Sequence, residues 1–426
     1  MKRETALRLG CIADDFTGAT DIASLLARSG VAVGLRIGVP EASVDDSVAE
    51  IEVIALKCRN EPVERAVAQA RSAADWLREA GAEQLYWKYC STFDSTAEGN
   101  IGPVAEALAD ALAARRVVYC PAFPENGRTS YFGNLFVNGV RLDESPMKDH
   151  PLTPMRDADL TRLLAPQVSG GVGLLDIAAL RGGKAAVSAC LAKLDERGIR
   201  HVVADAIAEE DLRELAEAVW QDALLTGGSA FAAELPRHRF PGQREDHDER
   251  EQMPTVAGGT LVLSGSCSAM TRRQVETYRQ RGSAYRLDPL ALAEGDGERR
   301  KLLEWLDAQP RDAAPMIYAS AEPGAVKRAQ QHLGAERAGQ LVESTLADIA
   351  AHAFENGVRR FIVAGGETAG AVTQALGVSR LRVGREIAAG VPWTFARRDG
   401  VDIALALKSG NFGDEAFFSK AQEVLR

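Results

Sequence analysis

The feature that most constrains the fold of this sequence is the regular alternation of short apolar runs with amphipathic helical stretches. The strand-like runs of the first half are residues 7–13, 31–37, 51–56, 84–88, 117–120, 172–177 and 201–204. Helical patterns occur among them at 19–28, 63–79, 104–114 and 212–225. Alternation of this kind produces βαβ crossovers. We therefore predict an α/β fold with mostly parallel sheets and helices on both faces.

The pattern stops in a highly charged stretch near the middle of the chain. Residues 237–252 are rich in Arg, His, Asp and Glu and have no apolar face that a core could bury. A second α/β series follows, with strands at 260–263, 316–318, 361–364 and 401–407 and helices at 269–280, 339–356 and 369–376. We predict a first domain over 1–235, a charged linker over 236–258 and a second domain over 259–426.

One segment of the first domain departs from this rhythm. Two strand-like runs flank Asn138-Gly139, and such a pair is a strong hairpin signal because both central residues of the turn adopt positive φ. The sequence therefore predicts a β-hairpin here. The stretch at 144–157, which holds three prolines and no periodicity, is typical of a substrate-covering element.

Charge and composition exclude several classes of protein. The net charge of −10 argues against a protein that coats nucleic acid, whose surface is basic. No run approaches the roughly 20 apolar residues that cross a bilayer, and no signal-peptide core precedes the first strand. The six cysteines are scattered and the six histidines show no zinc-site spacing, so we expect reduced thiols, a cytoplasmic location and no resident metal.

Two adjacent carboxylates follow the first predicted strand. Asp14 and Asp15 precede Thr17, a glycine turn and a helix that contains Asp21. A carboxylate at the end of a strand can accept the proton of a substrate hydroxyl or hold Mg²⁺ through water. Capping of the helix explains one of the two acids, but two acids and a threonine exceed what a cap requires.

Two further polar loops follow later strands of the first domain. The loop at 88–100 contains Lys88, Asp94, Ser95 and Asn100, a set suited to a polyhydroxylated acid, with the lysine on its carboxylate. Arg128 follows the fifth strand and is suited to bidentate binding of a carboxylate or phosphate. A solvated loop and a surface arginine remain the alternatives.

Three strands of the second domain end in small, glycine-bearing turns, at 264–268, 365–370 and 408–413. Helix N-termini at such turns present free N–H groups and partial positive charge, which favours phosphate. Ser264, Ser266 and Thr368 can add hydroxyl donors. Tight connections with serine caps explain any single turn, but less easily all three. No Walker-type GxxxxGK[ST] motif and no GxGxxG fingerprint is present.

At these residues the sequence resembles the four-carbon acid sugar kinase family, nearly from end to end. The motifs that carry the resemblance are ADDFTGATD at 13–21, DSTAEGNIGPV at 94–104, PAFPENGRT at 121–129, HPLTPM at 150–155, SGSCS at 264–268, GGET at 365–368 and LKSGNFG at 407–413. PAFPENGRT, HPLTPM and SGSCS are most similar to the members that are 3-oxo-tetronate 4-kinases.

The resemblance implies an N-terminal substrate domain, a C-terminal ATP-binding domain and an inter-domain active-site cleft. ATP would contact Ser264, Gly410 and the turn formed by Gly365, Gly366, Glu367 and Thr368. The sugar acid would meet the loops at 14–21 and 94–100, which include Thr17, Asp21, Ser95 and Asn100. Tetronate-specific relatives carry a lysine two residues before Asp-Ser-Thr, where this chain has Thr92, and the difference fits another oxidation state of the substrate.

The expected reaction is transfer of a phosphoryl group from ATP with Mg²⁺ to the terminal (C4) hydroxyl of a 3-oxo-tetronate. Asp15, or else Asp14, would take the hydroxyl proton, and Lys88 or Arg128 would bind the carboxylate. The alternatives are a D-threonate or D-erythronate 4-kinase, and a non-catalytic nucleotide-binding protein. The partners expected are a sugar acid and ATP, with neither nucleic acid nor membrane, and a homo-oligomer stays open.

Overall fold

A computed structural model describes residues 7–41, 44, 48–149, 153–242, 254–310 and 312–425. The chain divides into two compact units, residues 1–247 and 248–426. Each unit is an α/β structure with a mostly parallel sheet, which confirms the predicted fold class. In the described part of the chain, no helix combines the length and apolar character that a membrane span needs.

Eight parallel strands form the sheet of the first unit, in the order β2-β3-β1-β4-β11-β5-β10-β9. The strands of this unit are β1 (Leu9–Ala13), β2 (Val33–Ile37), β3 (Ile51–Ala55), β4 (Gln84–Lys88), β5 (Val117–Cys120), β6 (Arg128–Tyr131), β7 (Asn134–Val137), β8 (Val140–Arg141), β9 (Val172–Leu175), β10 (His201–Ala204) and β11 (Leu224–Gly227). The inner strands are buried on both faces, which explains why they are mostly apolar rather than alternating; Glu52 of β3 and Gln84 and Lys88 of β4 are buried polar exceptions.

The helices of the first unit pack on this sheet. They are α1 (Phe16–Ala27), α2 (Val63–Glu79), α3 (Ile101–Ala111), α4 (Leu160–Leu164), α5 (Ile177–Arg181), α6 (Lys184–Glu196), α7 (Glu209–Val219), α8 (Ser229–Ala233) and α9 (Pro236–Arg239). In α2, Ala66, Ala70, Ala73 and Leu77 recur at helical spacing and are buried in one apolar cluster with Trp87. The helix predicted at 212–225 was too long, because its last residues begin strand β11.

The register of the parallel strands brings several loops to one edge of the sheet. Ala13 at the end of β1 pairs with Ala55 of β3 and with Lys88 of β4. Lys88 in turn pairs with Gly227 of β11, which also pairs with Cys120 of β5. The loops that follow these five strands therefore start side by side, as open parallel sheets require at their ligand-binding edge.

The predicted hairpin is present as part of a separate three-stranded antiparallel sheet, β6-β7-β8. Asn138 (φ 52°) and Gly139 (φ 78°) form the turn between β7 and β8. Residues 150–152 of the motif at 150–155 lie outside the described residues.

The beginning of the predicted linker differs from expectation. Residues 236–240 pack on the first unit: α9 is followed by the buried Phe240, and the Arg8 guanidinium lies 5.6 Å from the centre of its ring. Arg239 lies 5.4 Å from the Trp220 ring. Phe240 was not recognised in the sequence as a core residue, because the residues around it are charged. Residues 243–253 of the predicted linker lie outside the described residues.

The second unit holds seven strands in the order β13-β14-β12-β15-β18-β17-β16. They are β12 (Gly259–Ser264), β13 (Ala284–Arg286), β14 (Met316–Tyr318), β15 (Val358–Ala364), β16 (Arg380–Ala388), β17 (Val391–Arg398) and β18 (Val401–Lys408). The first five strands in this order are parallel, whereas β18-β17 and β17-β16 are antiparallel.

Seven helices of the described chain complete this unit: α10 (Ala269–Arg279), α11 (Pro289–Ala293), α12 (Gly297–Asp307), α13 (Pro323–Leu333), α14 (Ala335–Glu355), α15 (Gly366–Ala375) and α16 (Phe417–Val424). Each of the strands β12, β15 and β18 ends at one of the glycine turns identified in the sequence. Helix α10 begins directly after the first turn, and α15 begins at Gly366, within the second.

Candidate functional site

The first group of polar side chains lies where β1 ends. Asp14 is 3 % exposed and is bound bidentately by Arg59, with Nε–Oδ2 and Nη2–Oδ1 distances of 2.7 and 2.8 Å. Burial raises the pKa of Asp14, and the charge of Arg59 opposes that rise. Although burial lowers the pKa of Arg59, the two aspartates raise it well above its usual value. The two residues thus form a buried ion pair.

Asp15 differs from its neighbour in exposure and in its contacts. Its Oδ1 accepts a hydrogen bond from the Gly18 N–H at 2.8 Å and lies 2.9 Å from Nη2 of Arg59. It is the N-cap of α1, so the alternative considered in the sequence is correct for this residue, although capping occupies only one oxygen. Its side chain is 30 % exposed, and no described residue donates to Oδ2.

Arg59 is the residue of this group that sequence reasoning missed. It follows β3 by a few residues, in a loop whose Cys58 and Arg59 N–H groups bond the Asp14 carbonyl at 3.0 and 3.2 Å. The strand order explains its position: β3 neighbours β1, so the loop after β3 starts beside Asp14. The apolar run at 51–56 predicts only a strand, and Arg59 lies beyond it in no recognisable motif.

Lys88 and Asp21 lie behind Asp15, both buried. The Lys88 ammonium donates to the Tyr89 carbonyl at 2.7 Å and, among the described residues, makes no other hydrogen bond. A Cβ placed on Gly18 would lie 3.0 Å from Lys88 Nζ and 2.6 Å from Asp15 Oδ1, so only glycine lets the three groups approach this closely. Asp21 accepts from Ser229 Oγ at 2.5 Å, and burial raises its pKa to about 6.

Asn100 and Ser95 make hydrogen bonds that support neighbouring loops. The Asn100 amide donates to the carbonyls of Cys58, Arg59 and Glu61 at 2.7, 3.2 and 2.8 Å. It therefore holds the loop that carries Arg59. Ser95 is buried and accepts from the Gln167 amide at 2.9 Å.

The remaining predicted residues of the first unit are more dispersed. Asp94 accepts from Thr92 Oγ1 at 2.6 Å, and Thr92 Oγ1 lies 2.9 Å from Cys90 Sγ. Thr17 lies in the first turn of α1, half-buried. Arg128 begins β6 and donates to the Asn126 carbonyl. Within the described chain, no hydrogen bond or ion pair joins Arg128 to the group around Asp14.

The second unit contains a cavity of about 450 Å³. One wall is formed by the three glycine turns, and the rest by the segment that leads into α11 together with α11, α13 and α14. The turns contribute Gly265, Ser266, Cys267, Gly365, Gly366, Glu367, Thr368 and Gly410. The other elements contribute apolar side chains, among them Leu287, Pro289, Ala325, Ala338 and Val342, and the polar side chains of Arg286, Asp288, Arg328, Gln330 and Glu343. The size of the cavity and its combination of apolar and polar groups are those of a small-molecule site.

The turns that form this wall pack closely on one another. A Cβ on Gly265 would lie 2.1 Å from Thr368 Oγ1, and one on Gly410 would lie 2.6 Å from Ser266 Oγ. Gly365 has φ 123°, a conformation that side-chain-bearing residues rarely adopt. Helix α15 begins at Gly366, and the first N–H groups of a helix have no partner within it. The wall therefore offers a close, N–H-rich surface suited to phosphate.

Ser264, one of the predicted nucleotide contacts, is the last residue of β12. Its side chain is completely buried and its hydroxyl lies 2.8 Å from that of Ser320, which donates to the Ser266 carbonyl at 2.6 Å. Ser264 does not line the cavity; its hydroxyl supports the turn from below. Ser266 and Cys267, which lie in the turn beyond the end of β12, line the cavity instead.

Comparison with known proteins agrees with this division. Residues 9–235 match a sugar-binding N-terminal domain, and residues 261–418 match a nucleotide-binding C-terminal domain. The chain is 49 % identical over 420 residues to a Burkholderia multivorans protein named 3-oxo-tetronate kinase, covering 98 % of this chain and 97 % of the relative. A Haemophilus influenzae protein of the same name is 45 % identical, with coverage of 97 % and 99 %.

Two solved structures share the fold over almost the whole length. A Salmonella typhimurium protein, provisionally called a tRNA synthase, superposes with a TM-score of 0.89 at 43 % identity, covering 97 % of this chain and 98 % of that one. A Haemophilus influenzae protein gives 0.82 at 44 % identity, with coverage of 98 % and 100 %. With both domains matched and curated kinases this similar, the chain belongs to the four-carbon acid sugar kinase family.

Proposed function

We propose that this kinase transfers the γ-phosphoryl group of ATP to the C4 hydroxyl of a 3-oxo-tetronate. The observation that carries the proposal is the cavity of the second unit, where three glycine turns and the start of α15 form one wall. Phosphoryl transfer needs a bound polyphosphate and a positioned hydroxyl more than it needs covalent chemistry. The relatives named 3-oxo-tetronate kinase support the choice of acceptor.

The nucleotide would bind with its phosphates on the glycine wall and its base on the apolar side. The N–H groups at the start of α15 and the Thr368 hydroxyl would donate to phosphate oxygens. Mg²⁺ would arrive with ATP and neutralise charge on its phosphates. No cluster of three potential metal-ligating side chains occurs in the described ranges, so the ion is assigned to the substrate complex and not to a resident site.

Asp15 is the residue that we assign as the base. Both oxygens of Asp14 are bound by Arg59, whereas Oδ2 of Asp15 is left without a donor among the described residues. Asp15 is also the more exposed of the two. Its free oxygen can therefore accept a hydrogen bond from a substrate hydroxyl and take its proton during transfer. Asp14 would keep Arg59 in position.

Lys88 and Arg59 are the cations that we assign to the substrate carboxylate. The Lys88 ammonium makes one hydrogen bond within the described chain, and Arg59 Nη1 takes no part in the bonds to Asp14 and Asp15. Both therefore have N–H groups left for an anion. Thr17 and Asp21 of α1, and Asp94 of the loop after β4, are proposed to contact the acid's oxygens. Arg128 has no link to this group and is the weaker choice.

Turnover of a panel of four-carbon acids tests the proposal. ADP release would be measured with 3-oxo-tetronates, D-threonate and D-erythronate, each against a blank without acid. We expect kcat/KM to be highest for a 3-oxo acid, because Thr92 replaces a lysine found in tetronate-specific relatives. Higher kcat/KM for threonate or erythronate would establish the alternative substrate, and no acid-dependent ADP release would refute the kinase proposal.

The Asp15→Asn variant separates catalysis from binding. Loss of a general base lowers kcat by about 10²–10⁴-fold. The affinity for ATP should stay within about twofold of wild type, since Asp15 belongs to the first unit and the cavity to the second. Asp75→Asn, a matched change in α2 at an exposed position, should leave kcat unchanged. A near-normal kcat for Asp15→Asn would exclude Asp15 as the base.

A further inference from the structure

A buried lysine lies directly beneath the glycine wall of the second unit. Lys408 is the last residue of β18 and its side chain is 1 % exposed. Its ammonium donates to Thr271 Oγ1 at 3.0 Å, to the Ser409 carbonyl at 2.9 Å and to the Gly410 carbonyl at 3.1 Å. All three hydrogens of the ammonium are therefore used, and two of them hold the turn that forms part of the cavity wall.

The Gly410 carbonyl is the point on which these contacts converge. Besides Lys408, it accepts from Ser268 Oγ at 2.5 Å and from Thr271 Oγ1 at 2.7 Å. A carbonyl oxygen has two lone pairs, so three donors around it leave the peptide little freedom to rotate. Gly410 lines the cavity, and its Cα faces Ser266 and Ser268 so closely that a Cβ would not fit. The hydrogen bonds from Lys408, Ser268 and Thr271 thus fix the orientation of the Gly410 peptide in the cavity wall.

The hydrogen-bond pattern requires the charged form of Lys408. Thr271 gives its hydroxyl hydrogen to Gly410, so it can only accept from Lys408, and both remaining partners are carbonyls. An uncharged amine has two hydrogens and would leave one contact unmade. No ion pair to Lys408 occurs in the described part of the chain, and burial lowers its pKa to about 7. Oxygen acceptors and the Phe417 ring, whose centre lies 5.8 Å from Nζ, therefore face the ammonium where a carboxylate would neutralise it.

Such a charge is costly unless an anion is bound close by. The cavity above Gly410 is where we propose that the triphosphate of ATP binds, and that ligand would supply the missing negative charge. A buried ammonium that lies beside the cavity, with no carboxylate paired to it among the described residues, suits a ligand that is itself anionic.

We propose that Lys408 is a positioning residue of the nucleotide site, which orients the Ser409–Gly410 turn and provides buried positive charge to the phosphates of the bound nucleotide. The inference rests on the proposed function, since it needs a polyphosphate in the cavity. Lys408 acts by holding the turn and by the electrostatic field of its ammonium, and it does not contact the transferred phosphoryl group.

Binding of ATP and of adenosine to the full-length protein, with Mg²⁺ present, tests this role by calorimetry. Lys408→Met removes the charge and the donors at similar length. Lys301→Met makes the same change at an exposed position of α12 and is the matched control. Lys408→Arg retains the charge. Thermal unfolding of each variant reports on folding separately.

For Lys408→Met we expect the Kd for ATP to rise about tenfold or more and the Kd for adenosine to change less than about twofold, since only ATP carries phosphates. KM for ATP should rise with kcat nearly constant, Lys408→Arg should recover part of the affinity, and Lys301→Met should match wild type. The unfolding temperature of Lys408→Met should fall, because the Ser409 carbonyl and the Thr271 hydroxyl lose a buried donor, while unfolding remains a single cooperative transition.

An ATP Kd within about twofold of wild type in folded Lys408→Met, or equal weakening of ATP and adenosine, would overturn the inference. If Lys408→Met does not fold, Thr271→Val provides the test, because it removes one donor to the Gly410 carbonyl and one acceptor of the Lys408 ammonium. An unchanged ATP affinity of Thr271→Val would also overturn the inference. Absence of ATP binding by the wild type would instead refute the proposed function, which keeps the two failures distinct.

Discussion

The ion pair between Asp14 and Arg59 allows the organisation of the first polar group to be tested quantitatively. Asp14 has almost no contact with solvent, and both of its oxygens are bound by one guanidinium. Arg59→Met removes the cation and leaves the carboxylate buried. Asp14→Asn keeps one acceptor but turns an amide towards the remaining guanidinium. The double variant removes both charges together.

The expected magnitudes follow from burial and from the two short hydrogen bonds. Removing one partner of a buried ion pair costs about 3–5 kcal/mol, because the other charge is left without compensation. Replacing both partners costs less than the sum of the single changes. We therefore expect an interaction energy of about 2 kcal/mol or more in the double-mutant cycle.

Urea unfolding of the four proteins, followed by fluorescence and by circular dichroism, provides the measurement. Burial already raises the pKa of Asp14, and loss of Arg59 would raise it further. A carboxyl group whose pKa is raised in the folded state binds protons more tightly there, so its stability contribution is present at low pH and lost as pH rises. The deficit of Arg59→Met should therefore be smaller at pH 5 than at pH 7.5.

An interaction energy below about 0.5 kcal/mol would show that the two residues are not coupled. A deficit of Arg59→Met that is the same at both pH values would show that Asp14 is not the group left uncompensated. Either result would contradict the assignment in which Asp14 positions Arg59 and Asp15 accepts the substrate proton.

Three further predictions concern single changes. Gly265→Ala would place a Cβ 2.1 Å from Thr368 Oγ1, and we expect KM for ATP to rise about tenfold, measured by ADP release. Asn100→Ala releases the loop that carries Arg59, and we expect KM for the sugar acid to rise with KM for ATP unchanged. Asp21 has a folded-state pKa of about 6, so its contribution to the free energy of unfolding is lost as pH rises from about 4 to 6. The free energy of unfolding of Asp21→Asn, measured in urea, should therefore rise relative to that of wild type by up to about 3 kcal/mol over this range. A difference between variant and wild type that does not change with pH would contradict the raised pKa of Asp21.

The secondary structure of this chain was predictable where the hydrophobic pattern was strong. The strands at 84–88, 117–120, 201–204 and 316–318 have the predicted bounds, because buried parallel strands are continuous apolar runs between polar loops. The antiparallel strands β16 and β17 were missed. They are rich in arginine and partly exposed, and the Asp399-Gly400 turn that joins β17 to β18 was a hairpin signal left unused.

The candidate site was predictable as a set of loops but not as a set of contacts. Polar residues after strand ends pointed to the Asp14 and Lys88 loops and to the glycine turns, and the structure brings the first two together. Arg59 was missed because its loop is short and carries no motif. Ser264 is buried and is not among the residues that line the cavity, a detail that a pattern could not give because it locates the end of a strand only to within a residue or two.

A crystal structure of the protein with Mg²⁺ and a non-hydrolysable ATP analogue tests the central claim most directly. The account predicts phosphate oxygens within hydrogen-bond distance of the backbone at Gly366, beside Gly410, and the base among the apolar residues of α13 and α14. An analogue bound with its phosphates away from all three glycine turns would contradict it.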